Sequence, residues 1–169
     1  MPRPLGRGCH CRKNSSNPGQ RALRRGRFSQ ENARYFLTLC SYKRRAILCR
    51  DGVPELIFQY LTDCKERFEL VASVVMPDHL HCIIRLNDSD LGRSIKAFKG
   101  KCSLRINRFC NLSGSLWQKG YFDHKLRSDE DLGPILSYLW NNPEIPGTNF
   151  RCNRDDWVWF KSLVINDVN

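Results

Sequence analysis

No apolar run in this chain is long enough to cross a membrane, and its N-terminus carries no apolar signal core. Those two absences point away from a helical anchor and from secretion, and make the cytoplasm the expected compartment. There is no C-x-x-C, although cysteine occurs nine times at irregular spacings. The spacings of a zinc ribbon or a redox dithiol are therefore missing. Cys40, Cys82, Cys102 and Cys110 sit among apolar residues and read as small core fillers of a reducing compartment. Cys9-His10-Cys11 lies in a tail without paired ligands nearby and reads as incidental. Internal repeats and a second core pattern are also absent, so 169 residues suggest one domain.

Acid is unevenly placed. Residues 1–27 hold eight Arg and Lys and no Asp or Glu, so this arm carries +8 of the net +11 and leaves +3 to residues 28–169. With scattered Pro, Gly, Ser and Asn, residues 1–27 read as a disordered arm, and residues 28–169 as the folded domain. Such an arm suits an anionic polymer, nucleic acid before a membrane surface; the plainer alternative is a solubilising tail. Residues 91–110 also hold no acid, with Arg93, Lys96, Lys99, Lys101, Arg105 and Arg108. Arg44-Arg45 forms a smaller basic pair.

The body reads as alternating elements. Arg34–Ser41 is β-rich and alternating, a first strand. Pro54–Glu69 places Leu56, Ile57, Tyr60, Leu61, Cys64 and Phe68 on one helical face, with Pro54 in its first turn. Leu70–Met76 and His79–Leu86 form a hairpin about Pro77-Asp78. Asp90 stands among cap-forming residues before a second helix marked by Leu91, Ile95, Phe98, Cys102, Ile106 and Phe109. Leu116–Leu126 reads as a fourth strand, with a bulge at Gly120. This β-α-β-β-α-β order predicts an α+β, ferredoxin-like fold: a four-stranded antiparallel sheet with two helices on one face. A further helix follows in Arg127–Asn142, capped by Ser128 or Asp131. Pro134 requires it either to begin close by or to bend there. Asp155–Phe160 is expected to pack back on the body.

His79 and His81 alternate on a strand and so point the same way, away from the face the helices need. Two imidazoles on a rigid strand can hold one metal ion and leave its other positions open. The plainer reading is a histidine pair on a solvated sheet face. Tyr138 and Asn142 are four apart on the last helix and share one side of it. Each also has an ordinary reading, as a packing tyrosine and as a helix end cap. Trp117, Tyr121 and Phe122 are candidates to stack bases.

Three segments, in order, resemble one family. Arg34–Leu48 is similar to its first strand, MPDHLH resembles the HUH signature, and YFDHKLRSDEDLGPILSYLWNNP resembles its tyrosine-bearing segment. The family is that of the single-tyrosine HUH transposases, and the branch is the REP-associated tyrosine transposases. The resemblance implies a metal-dependent enzyme that binds single-stranded DNA at imperfect hairpins, cuts it through a 5′-phosphotyrosine and rejoins it. It implies His79, His81 and Asn142 as ligands of Mg²⁺ or Mn²⁺, and Tyr138 as nucleophile. The expected phosphate contacts are Arg44, Arg45, Arg93, Lys96, Lys99 and Lys101. The expected setting is the nucleoid, as a monomer or homodimer. The sequence departs from the family at Asp78, where Asn is common, at Glu144, and at Gly133-Pro134. Two alternatives stay open: a domesticated hairpin-binding protein without cleavage, and a small-molecule metalloenzyme using the same histidines.

Overall fold

The computed structural model describes residues 29–88, 90–127, 132–141 and 158–160. The arm, Cys9-His10-Cys11, Ser128, Asp131 and Asn142 lie outside the described residues. The elements in order are β1 (Arg34–Cys40), α1 (Val53–Asp63), β2 (Phe68–Met76), β3 (His79–Leu86), α2 (Leu91–Phe109), β4 (Phe122–Leu126), α3 (Gly133–Asn141) and β5 (Val158–Phe160). They form one antiparallel sheet in the order β4-β1-β3-β2-β5. The first four strands make the expected ferredoxin-like sheet, and β5 adds an edge strand that the sequence did not mark as one.

Local chemistry sets most boundaries. Gly52 caps α1 from the left-handed region (φ 78°), with Pro in the first turn. The helix stops at Asp63, short of the expected Glu69, because Phe68 is taken into the core as the first residue of β2. Asp90 caps α2 by accepting a hydrogen bond from the Arg93 amide at 2.9 Å. The helix α3 begins at Gly133, so Pro134 falls in the first turn and needs no bend. The expected long fourth strand is short. Only Phe122–Leu126 pairs with β1, and Ser41–Trp117 is an isolated bridge. Gly120 (φ 87°) turns the chain before the strand begins. Trp117 is drawn instead against Phe98 of α2, with ring centroids 6.2 Å apart.

The sheet is buried on both faces. On one, α1 and α2 cover Leu37, Leu39, Leu70, Val75, Leu80, Cys82, Ile84 and Leu86. On the other, α3 packs through Leu136 and Leu139 over Val71, Ala72, Val74, Met76 and Ile83. A bulge in β2 between Leu70 and Ala72 makes this possible. Ahead of it the even-numbered residues face α1 and α2; beyond it they face α3. Cys82 and Cys102 are free and fully interior, and burial pushes the Cys82 thiol up to about 12. No helix among the described residues is long and apolar enough to cross a membrane.

Candidate active site

β3 begins directly after the Pro77-Asp78 turn. Its first residue, His79, pairs with Cys40 and Met76, and His81 pairs with Thr38 and Val74. Paired residues share a face, so both imidazoles lie on the side opposite α1 and α2. They are not solvated: His79 is 8% and His81 3% exposed. Their rings stand nearly perpendicular (83°), and the two Nε2 atoms approach to 3.1 Å.

Each ring is held from behind. His79 Nδ1 lies 2.6 Å from Asp78 Oδ1, and Asp78 Oδ2 takes the Arg44 Nε at 2.7 Å. His81 Nδ1 lies 2.8 Å from Thr38 Oγ1, and Phe36 stacks on the ring at 5.3 Å and 23°. A carboxylate only accepts, so His79 carries its proton on Nδ1 and turns the Nε2 lone pair inward. The Thr38 hydroxyl both donates and accepts, so it supports either tautomer of His81. If His81 Nε2 carries the proton, it donates to His79 Nε2; if Nδ1 carries it, both Nε2 lone pairs converge on one point. Burial first, then the repulsion a protonated His79 would exert and the charge of Arg44, hold the His81 pKa down to about 3. Burial opposes the ionised Asp78, but the bond from His79 and the charges of His79 and Arg44 outweigh it. The Asp78 pKa therefore falls below its ordinary value.

The donor set fits a divalent ion. Two ligands at right angles on bonds of about 2.1 Å stand about 3.0 Å apart, close to the 3.1 Å between the Nε2 atoms. Both donors are neutral nitrogens with a fixed outer partner, as ligating histidines usually are. Among the described residues no cluster of three or more His, Cys, Asp or Glu side chains completes a metal site. The third expected ligand, Asn142, lies outside the described residues.

Tyr138 comes to the same place. Its ring lies 5.8 Å from His81 and 6.5 Å from Phe36, in edge-on contact with each, and is 42% exposed. Leu136 and Leu139 bury the opposite side of α3 and so present Tyr138 over the histidines.

The basic residues separate into groups. Arg44 is engaged by Asp78 and also donates to Cys40 Sγ. Arg45 donates to the carbonyls of Tyr42 and Ser115, and Lys99 to those of Gln118 and Gly120. Arg93, Lys96 and Lys101 are exposed on α2, across the sheet from the histidines. Of the three aromatics, Trp117 is buried, Tyr121 packs at the margin of the core, and Phe122 is 57% exposed. Phe122 pairs with Thr38, so it shares the site face. The roles of Thr38 and Phe36 escaped the sequence reading. Only the register of β1 on β3, which joins residues 43 positions apart, exposes them.

A model of the IS200-like transposases matches residues 29–142. A Haemophilus influenzae protein named among the REP-associated tyrosine transposases is 27% identical over 121 residues, 64% of this chain and 69% of its own. The Escherichia coli REP-associated tyrosine transposase is 27% identical over 120 residues, 69% of this chain and 70% of its own. A solved structure of a REP-associated tyrosine transposase bound to a REP hairpin aligns with a TM-score of 0.57 and 25% identity, covering 72% of each chain.

Proposed function

The chain belongs to the IS200-like transposase family and is a DNA transposase; on that premise we propose that it cuts and rejoins single-stranded DNA at imperfect hairpins, with Tyr138 as nucleophile. The observation that carries this reading is the approach of the Tyr138 ring to 5.8 Å from His81 within one chain. A buried, oriented imidazole pair beside a half-open phenol is what phosphoryl transfer to tyrosine needs.

His79 and His81, joined by Asn142, would hold Mg²⁺ or Mn²⁺. When bound, that ion supplies positive charge beside a non-bridging phosphate oxygen. Asp78 and Thr38 hold the two rings. Tyr138, whose ring is partly exposed, gives its phenolic proton to solvent, and its oxygen attacks phosphorus. The O–P bond to tyrosine forms, the P–O3′ bond breaks, and the 3′ oxygen leaves and takes up a proton. One phosphodiester replaces another, so the bond energy is kept. A second 3′ hydroxyl then attacks, restores the strand and frees Tyr138.

Arg93, Lys96 and Lys101, exposed on α2, are the side chains placed to meet phosphates, and the acid-free sequence of residues 1–27 suits the same role. The bonds from Lys99 to Gln118 and Gly120 set the middle of α2 beside the approach to β4, so DNA reaching both surfaces would cross that edge. Phe122 stands at the edge, on the site face, where an unpaired base could stack. The setting this implies is the nucleoid.

The test is a labelled REP-like hairpin incubated with the protein and Mn²⁺. A covalent protein–DNA adduct that vanishes in Tyr138→Phe supports the reading. Tight, salt-sensitive binding without an adduct leaves a hairpin-binding protein and overturns cleavage.

A further inference from the structure

Arg44 carries the sequence signature of a phosphate contact, but its surroundings are those of a scaffold. Lys43 and Arg44 both lie in the left-handed region (φ 55° and 56°), which L side chains adopt at a cost. What holds them there is a turn tied to the histidine strand. The Ser41 amide donates to the Asp78 carbonyl at 2.9 Å, and the Leu48 amide to the Pro77 carbonyl at 3.0 Å. Ser41 Oγ closes the turn onto the Arg45 carbonyl at 2.7 Å. The turn so fixed delivers the guanidinium to Asp78 at 2.7 Å, and Asp78 delivers its other oxygen to His79 at 2.6 Å.

We propose that Arg44 is a positioning residue that acts through Asp78 to lock the ring of His79, rather than a contact to DNA. The inference rests on the metal-pair reading of His79 and His81. A carboxylate is symmetric and rotates freely; a second partner on its far oxygen removes that freedom. With Asp78 clamped, His79 keeps its proton on Nδ1 and its Nε2 toward His81 before any ligand arrives. Outer partners of this kind commonly change metal affinity by about 10- to 100-fold.

The experiment uses the full chain without DNA and Mn²⁺ alone as probe. Calorimetric titration reads affinity, and ¹⁵N long-range NMR reads which nitrogen of His79 is protonated. Arg44→Ala and the less disruptive Arg44→Gln are each expected to weaken Mn²⁺ binding about 10-fold and to let the Nε2-protonated form of His79 appear. In an Asp78→Asn background the same Arg44 changes should add little, because their route is gone. Unchanged Mn²⁺ affinity and an unchanged His79 proton in both Arg44 variants would overturn the inference. Failure of the wild-type protein to bind Mn²⁺, or binding indifferent to His79→Ala, would instead remove the metal-pair reading. The NMR comparison still decides the Arg44 clamp in that case.

Discussion

Replacing Thr38 by Val keeps the shape of a side chain that is 6% exposed and removes one oxygen. That oxygen is the partner of His81 Nδ1 at 2.8 Å, in a site where water does not readily take its place. Leaving a buried polar nitrogen unpaired costs about 1–3 kcal/mol. For a chain of this size each kcal/mol moves the midpoint of thermal unfolding by roughly 2–4 °C. A central value of about 2 kcal/mol therefore predicts a fall of roughly 4–8 °C in the thermal midpoint. Loss of the hydroxyl also removes the group that accepts the Nδ1 proton when both Nε2 lone pairs turn inward, so Mn²⁺ affinity should fall about 10-fold. Thr38→Ser is the control. It retains the oxygen and forfeits about one methyl's worth of burial, about 0.8 kcal/mol, with metal affinity near that of the wild type. Circular dichroism melts and Mn²⁺ titration read the two quantities separately. A Val variant that melts with the wild type and binds Mn²⁺ equally well would refute the assigned role of this contact.

Three more expectations follow from the same geometry. Because His81 is held to about 3 in the fold against an ordinary 6.5, the unfolded chain takes up that proton first as pH falls. Stability is then full above about 6.5 and declines toward 3, so the urea midpoint should drop between pH 7.5 and pH 5, and drop less in His81→Gln. Leu139→Ala empties part of the seat of α3, at a cost of about 2–5 kcal/mol if its small core unfolds with the rest. Adduct formation should fall far more than hairpin binding in a gel-shift assay, and equal losses would count against Leu139 as the anchor of Tyr138. Phe122→Ala should weaken single-strand affinity by about 1–3 kcal/mol without moving the melting temperature, since the ring is largely exposed; a stability loss with unchanged affinity would make it a packing residue.

Much of this was legible in the chain because periodicity survives in one dimension. The H-x-H pair had to share a face, and the acid-free segment with Ile95, Phe98, Cys102 and Ile106 had to be a helix with one buried side. The β-α-β-β-α-β order carried the fold. What stayed hidden depends on partners distant in sequence. Nothing local announces Thr38 as the neighbour of His81, or Asp78 as the link between Arg44 and His79. Leu116–Tyr121 has the aromatic content of a strand, yet Trp117 is claimed by α2 and the segment runs as a loop. For Arg45 and Lys99 the chain displays only charge; the carbonyls they donate to come from segments that only the fold brings near. Val158–Phe160 is too short to stand out before β2 offers it an edge.

The bulge in β2 has a consequence for how this protein tolerates insertion and deletion. Val71 is the surplus residue, because Leu70 pairs with Ile84 and Ala72 with Ile83. Deleting it would restore plain alternation and leave the side chains from Ala72 to Met76 on the faces they now occupy. The strand thus holds one residue of slack: a single lost codon there should cost one valine's packing and leave the floor beneath the tyrosine helix in place, whereas an added one has no such reserve to draw on.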